Sequence, residues 1–293
     1  MAEDNVAEIG GGPGPNLRRR ELGRELRQLR TEAGWSVAQA AKYAGFTDVT
    51  VRRIETGSQT ILPRNVRVLC QAYEVDAALV ERLMRRAEES NERGWWTRYS
   101  ETMPDWFAKF VGLESDAVEL RNYSLLYVDG LLQTPAYAEA FLSLRPEDPG
   151  DTVRRAVELR QARQQRLLGD DNPTTLHVVL DEAALRRHVG GVEVMREQLR
   201  HLVTMAERPN VTLQVVPFEA GAYAGAQNLF SMLRFPDGTD EVDVVYAENQ
   251  RGAVWMERPA DIRHVTGVFE QMTKVAHTPA RSAEFVAGLA ASL

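Results

Sequence analysis

Cysteine is almost absent from this chain of 293 residues, since Cys70 is the only one. A single thiol excludes an intramolecular disulfide framework and any zinc site built from several cysteines. No run of about eighteen apolar residues occurs, so no segment is suited to cross a membrane as a helix. The first fifteen residues are acidic and rich in Gly and Pro, unlike the basic start and apolar core of a signal peptide. We therefore expect a cytoplasmic protein that does not bind membranes.

Signatures of catalysis and of metal or cofactor binding are also missing. The five histidines show no short metal-binding spacing, G-x-S-x-G does not occur, and the glycine-rich segment 10–14 precedes no predicted strand. The acids that end or follow predicted strands are Asp181, Glu182, Glu248 and Glu257. Single acids there are usually helix caps or solvated residues, although an acid pair in a cleft stays open as an alternative. The sequence predicts no enzyme, no metal and no cofactor.

Charge of opposite sign is concentrated in different regions of the chain. The net charge is −7 overall, but residues 16–70 contain 11 Lys and Arg against 5 Asp and Glu. This stretch therefore carries +6, whereas residues 71–293 carry −10. A basic module attached to an acidic body directs one surface at an anionic partner.

Short helices separated by glycine are predicted for the basic module. Leu22, Leu26 and Leu29 recur at the spacing of an amphipathic first helix, whose other faces carry arginines. The caps and breakers that delimit the later helices are Ser36, Gly45, Thr47, Gly57, Pro63 and Asp76. Five helices with a glycine-containing turn between the second and third are typical of a helix-turn-helix domain, which we place at residues 16–90. A helical bundle without a nucleic-acid role is the alternative.

The stretch from Ser36 to Gly57, SVAQAAKYAGFTDVTVRRIETG, resembles the Xre family of lambda- and 434-repressor-like regulators. It matches that family's helix, Ala-Gly turn, Ser or Thr cap and T-V-x-R-I-E-x-G pattern. The resemblance implies DNA binding, with the third helix in the major groove and its first residues against base edges. Arg30 and Glu55 match residues that often join the first and third helices in this family, so a structural ion pair is implied.

The same resemblance implies roles for side chains on and near the third helix. Asp48, Val49 and Arg53 stand at base-reading positions, where Arg53 would pair with guanine and Val49 would contact a thymine methyl. Asp48 would accept a hydrogen bond from cytosine N4 or, alternatively, only pair with Arg52 one turn on. The residues implied to contact the DNA backbone are Thr47, Thr50, Arg52, Arg64 and Asn65. Such contacts position the module and make binding salt-dependent.

Helices and strands interleave in residues 91–293, which predicts an α+β domain with its own core. The predicted strands are 119–126, 176–180, 211–216, 228–235, 242–246 and 253–256. The predicted helices are 135–143, 152–168, 192–206, 259–275 and 282–290. The fold class is therefore an N-terminal all-α five-helix helix-turn-helix domain followed by a C-terminal α+β domain. Residues 1–15 are predicted to form a disordered acidic tail.

Short motifs of the α+β region resemble the domain of unknown function that follows the Xre module in actinomycete regulators of the WhiJ-like group. They include G-L-L-Q-T at 130–134, R-Q-A-R-Q at 160–164, L-D-E-A-A-L at 180–185 and V-V-Y-A-E at 244–248. The resemblance implies a transcription regulator that often accompanies a small acidic protein encoded nearby.

Arginines crowd the predicted helix 152–168. One interpretation is a solvated face on which Arg154 pairs with Glu158 one turn on. The other is a site for an anionic ligand or partner at Arg160 and Arg163, since guanidinium groups bind carboxylates in bidentate fashion.

These observations predict a two-domain transcription regulator. We expect a homodimer, since one such module buries little surface on DNA and Xre-like proteins read near-palindromic operators. The α+β domain would dimerise or sense a small-molecule effector or a partner protein. One alternative is an antitoxin-like adaptor that holds a small acidic protein and autoregulates its operon. Another is an enzyme with a DNA-targeting module, in which Glu248 would be needed for turnover.

Overall fold

The computed structural model describes residues 15–92, 94–144, 150–169, 173–236, 243–249 and 251–293. The chain divides into two compact units, Met1–Thr97 and Arg98–Leu293. The described part of the first unit is helical, and that of the second combines helices with a six-stranded mixed sheet, which confirms the predicted fold class. The predicted tail lies outside the described residues apart from Pro15. No helix in the described ranges is both long and apolar enough to span a bilayer.

The described helices of the first unit are α1 (Pro15–Glu32), α2 (Val37–Ala44), α3 (Asp48–Glu55), α4 (Pro63–Ala72) and α5 (Ala77–Glu89). Their boundaries follow from local chemistry. The Ser36 hydroxyl accepts from the Gln39 N–H, and the Gln39 side chain accepts from the Ser36 N–H, so a capping box starts α2. Gly45 ends this helix in the left-handed conformation, with φ at 69°. The Thr47 hydroxyl then accepts from the Thr50 N–H and starts α3.

An apolar cluster to which all of these helices contribute holds the first unit together. Its fully buried members include Leu22, Leu26, Val51, Ile54 and Leu69. The leucines of α1 thus pack on the inner face of α3, and burial of each such side chain contributes about 1.5–3 kcal/mol. The position of α3 is therefore set by the core.

Two glycines allow α1 and the end of α3 to approach each other closely. A Cβ at Gly23 would lie 2.4 Å from the Ile54 carbonyl oxygen, and a Cβ at Gly57 would lie 2.7 Å from the Arg20 Cα. Both obstacles are backbone atoms, which cannot rotate away as a flexible side chain can. Gly57 also has φ at 64°, in the left-handed region that favours glycine. Larger residues at these positions would push the two helices apart.

The second unit is built on a sheet with the strand order β3-β2-β1-β4-β5-β6. The strands are β1 (Glu119–Ser124), β2 (Thr175–Asp181), β3 (Val211–Val216), β4 (Phe230–Arg234), β5 (Val244–Asn249) and β6 (Gly252–Met256). β1, β2 and β3 run parallel, with Leu120 opposite Leu176 and Leu176 opposite Val211. β4 is antiparallel to β1, and β5 and β6 continue the sheet in antiparallel fashion. The parallel half needs crossover connections, which helices supply.

The described helices of the second unit are α6 (Asp105–Asp116), α7 (Pro135–Leu142), α8 (Gly150–Leu168), α9 (Glu182–Arg186), α10 (Val192–Ala206), α11 (Pro259–Val275) and α12 (Pro279–Ser292). Phe269 and Met272 of α11 pack on buried residues of the strands, such as Tyr123 and Val179. α12 packs against β3 and α10. The sequence pattern predicts five of these helices, whereas α6 and α9 have no counterpart in the prediction.

Candidate nucleic-acid interface

α3 presents one face to the core of the first unit and the other to solvent. Val51 and Ile54 are fully buried on the inner face. The exposed side chains of the helix are Asp48, Val49, Arg52 and Arg53. Val49 is 55% exposed, so its methyl groups are accessible in the first turn. The helical repeat therefore brings the three predicted base-reading residues to one accessible surface.

Hydroxyl groups fix both ends of α3. The Thr47 and Thr50 hydroxyls lie 2.9 Å apart, in addition to the cap that Thr47 provides to the backbone. At the other end, the Thr56 hydroxyl donates to the Arg52 carbonyl at 2.9 Å. Each threonine hydroxyl has one O–H donor, and the Thr47–Thr50 contact uses one of the two. The second O–H remains able to donate to an acceptor such as a phosphate oxygen.

An ion pair joins α1 to the C-terminal end of α3. Arg30 donates to both carboxylate oxygens of Glu55, at 2.5 and 3.0 Å, and to the Trp35 carbonyl at 2.7 Å. The side chains are 12% and 6% exposed, so the pair lies at the boundary of the core. The hydrogen bond to Glu55 raises the pKa of Arg30, which therefore stays charged. This is the pair that the sequence resemblance implies.

Arginine side chains are exposed on α3 and at the start of α4. Arg52, Arg53 and Arg64 are exposed, and none forms an ion pair with another residue in the part of the chain that the structure describes. The alternative in which Asp48 pairs with Arg52 is not observed, because no ion pair joins these two described side chains. Asn65 follows Arg64 in the first turn of α4 and is half-buried. The unpaired guanidinium groups are therefore available to an anionic ligand.

α2 exposes two further side chains that the sequence pattern does not single out. Lys42 is exposed, and Tyr43 is 55% exposed while its ring contacts Trp35 edge-on at 5.6 Å. They stand just before the turn that leads into α3. Their place on the polar side of a short helix was the signal available in the sequence, but it does not distinguish a solvated face from a contact surface.

The two arginines of α8 that one of the two interpretations of the sequence assigns to an anion or partner site contact other parts of the second unit. Arg163 is 7% exposed and donates to both carboxylate oxygens of Glu114, at 2.7 and 2.6 Å. Arg160 donates to the side-chain oxygen of Gln133. The Glu114 carboxylate thus pairs with the Arg163 guanidinium group inside the second unit. This guanidinium group is therefore not available to an external anion.

The acids at the strand ends also have partners within the second unit. Asp181 accepts from the Ala183 N–H at 2.8 Å and so caps α9. Glu182 accepts from the Phe218 N–H at 2.7 Å, and Glu248 accepts from a tyrosine hydroxyl at 3.2 Å. Among the described residues, no group of three or more His, Cys, Asp or Glu side chains could hold a metal ion. These acids act as caps and hydrogen-bond acceptors in the fold.

Comparison with known families agrees with this geometry. Residues 21–83 match the model of a helix-turn-helix domain. The match covers α2, α3 and α4, most of α1 and the first half of α5. The chain therefore contains a helix-turn-helix domain, which suggests a DNA-binding regulator rather than an enzyme. Residues 107–288 match the model of a domain of unknown function, DUF5753, and the chain belongs to the DUF5753 family. No curated protein matches the chain.

Proposed function

We propose that the chain is a sequence-specific transcription regulator of the Xre type that binds a near-palindromic operator as a homodimer in the cytoplasm. The observation that carries the proposal is the surface of α3. This helix belongs to a helix-turn-helix domain. Its inner face is buried in the core of the first unit, and its outer face carries exposed arginines. The major groove of B-DNA is about 12 Å wide and admits one helix.

Three side chains are proposed to read bases. Arg53 would donate two hydrogen bonds to the O6 and N7 atoms of guanine, a contact that discriminates by about 1–3 kcal/mol. Val49 is exposed at the start of the helix and would pack on a thymine methyl group. Asp48, which is not paired with Arg52 in the described structure, would accept from the N4 amino group of cytosine.

A second set of residues is proposed to hold the DNA backbone. It consists of Thr47, Thr50, Arg52, Arg64 and Asn65, and we add Lys42 of α2 because its side chain is exposed. The remaining O–H of the threonine pair and the exposed cationic groups suit phosphate oxygens. These contacts would position α3 in the groove without reading the sequence, and they would make binding weaken as salt rises.

The DUF5753 unit is proposed to dimerise and to sense an effector or a partner protein. Its sheet and its helix α11 build a buried apolar core from residues of the second unit. A signal would act by changing the spacing of the two reading helices, which requires a ligand that binds two conformations with unequal affinity.

Fluorescence anisotropy with a duplex selected from random sequences tests the proposed reading surface. We expect Arg53→Ala to reduce the preference for the selected duplex over a scrambled one by about 5- to 150-fold for each half-site, which corresponds to about 1–3 kcal/mol. Arg64→Ala should weaken binding to both duplexes alike and should lower the slope of log K against log salt by about one. Arg82→Ala is the matched control, because it removes the same exposed charge from α5.

Two results would contradict the proposal. Equal losses on selected and scrambled DNA for Arg53→Ala would remove Arg53 from the base-reading set. A wild-type chain with no affinity for any duplex at about 50 mM salt would remove DNA binding itself, because non-specific electrostatic binding is strong under this condition.

A further inference from the structure

The two edges of the sheet in the second unit differ in how their backbone groups are used. At the β3 edge, the Val215 N–H donates to the Ser282 hydroxyl of α12 at 3.0 Å. The Val215 carbonyl accepts from the His277 N–H at 2.8 Å. At the β6 edge, no hydrogen bond between described residues reaches the strand backbone from outside the β5–β6 pair. Among the described residues, α12 thus covers part of the β3 edge, whereas no described group pairs with the β6 edge.

β6 also lacks two of the features with which proteins protect an edge strand, namely charge and proline. Its sequence is GAVWM, which contains no charge and no proline. Val254, at the centre of the strand, is 52% exposed. Alternate residues of an antiparallel strand point their N–H and C=O groups away from the paired neighbour. An apolar strand with such an open edge is a template for pairing with another strand.

The side chains of β6 are complementary to those of a second β6 that runs antiparallel to it. When Val254 lies opposite Val254 of the second copy, Ala253 lies opposite Trp255. Gly252 then lies opposite Met256. Each large side chain thus faces a small one on both sides of the two-fold axis, which avoids a clash between large neighbours. Trp255 is held in place by contacts with the Lys109 ammonium, 4.2 Å from its ring centroid, and with a tyrosine ring.

The charges that flank β6 fit the same register. Arg251 is exposed, and Glu257 follows the last residue of the strand. In a pair centred on Val254, Arg251 of one copy lies opposite Glu257 of the other. The two-fold axis repeats this contact, so each dimer has two facing pairs of opposite charge. If the register shifted by two residues, neither Arg251–Glu257 contact would form.

We propose that the chain forms its homodimer by antiparallel pairing of β6 with β6 of a second copy, centred on Val254, so that the two sheets become continuous. This inference deepens the proposed function, because it specifies the interface of the proposed homodimer and rests on that dimer. The interface is isologous, as two-fold symmetry requires. Its test needs no DNA, so its failure and a failure of DNA binding are separate results.

Disulfide cross-linking tests the register directly. In the proposed pair the two Cα atoms at position 254 lie about 4.5–5.5 Å apart, within the range of about 4.4–6.8 Å that a disulfide spans. We expect the full chain with Val254→Cys to form a covalent dimer under mild oxidation, whereas Val192→Cys on α10, 40% exposed, should not. Cys70 is buried, so the wild-type chain should not cross-link either. A monomeric Val254→Cys chain after oxidation would overturn the proposal.

Sedimentation of the full chain tests the same interface without new covalent bonds. Val254→Lys replaces facing apolar side chains by facing like charges, and we expect the dimer dissociation constant to rise about a hundredfold. Val192→Lys is the control and should leave it unchanged. Arg251→Glu should weaken the dimer, and Arg251→Glu combined with Glu257→Arg should restore it. A wild-type monomer, a Val254→Lys dimer as tight as the wild type, or a Val254→Cys cross-link to a different protein would each overturn the inference.

Discussion

The ion pair between α1 and α3 predicts a large effect of one truncation. Arg30→Ala removes two hydrogen bonds to the Glu55 carboxylate and one to the Trp35 carbonyl. It leaves Glu55, 6% exposed, as a carboxylate at the edge of the core without its counter-charge. Loss of one partner of a buried ion pair costs about 3–5 kcal/mol. Because Arg30 is 12% exposed, water can partly replace it in the variant. We therefore expect Arg30→Ala to lower the free energy of unfolding of the first unit by about 3 kcal/mol. This is a large part of the roughly 5–15 kcal/mol by which a domain is stable.

Hydrogen exchange measured by mass spectrometry can assign this loss to the first unit. We expect peptides from α1 and α3 of Arg30→Ala to exchange about a hundredfold faster, since each 1.4 kcal/mol is about tenfold, while peptides from the sheet do not change. The double variant Arg30→Met with Glu55→Leu should lose much less, because no charge is left unpaired. Arg82→Ala controls for the loss of a surface charge. Unchanged exchange in α3 together with unchanged DNA binding for Arg30→Ala would refute the positioning role.

Three further outcomes follow from the packing and protonation of buried groups. Gly23→Ala places a Cβ 2.4 Å from the Ile54 carbonyl oxygen and should cost about 1–3 kcal/mol in urea unfolding of the first unit; a neutral result would contradict the close approach of α1 and α3. Burial lowers the pKa of His177, so the neutral form is favoured on folding. The stability that depends on neutral His177 should be complete above about pH 6.5 and should be lost as the pH falls further. His177→Gln should therefore make the melting temperature less dependent on pH between pH 7 and 5. Burial raises the pKa of Cys70 to about 11, so iodoacetamide at pH 8 should label it only after unfolding, and rapid labelling of the native chain would contradict its burial.

Local chemistry made much of the secondary structure predictable from the sequence. The bounds of α10 and α11 are those predicted, and Pro259 stands at the start of α11, where its fixed φ suits the first turn. β3 was also predicted with its observed bounds, since a run of Val and Leu alternates with polar residues there. The Arg154–Glu158 pair expected at i,i+4 is present at 2.8 Å on the exposed side of α8. Such features depend on residues within one or two turns of each other.

Features that depend on distant residues were not predictable in the same way. The sheet order places β4 beside β1, with Phe230 opposite Tyr123, and no local pattern specifies that pairing. α6 was missed, and so the partner of Arg163 was missed, because Glu114 stands 49 residues earlier on that helix. A run of arginines on a helix has the same composition whether it is solvated or partly buried. The buried ion pair therefore appeared only when the tertiary structure brought α6 and α8 together.

Selection of bound duplexes from a random library by the full chain tests the central claim most directly. The account predicts enrichment of a motif with two inverted half-sites, which becomes degenerate at one position of each half-site when the selection is repeated with Arg53→Ala. Recovery of unenriched random duplexes with the wild-type chain at about 150 mM salt, where non-specific electrostatic binding is weakened, would contradict the account, because a correctly placed reading helix must prefer some sequence.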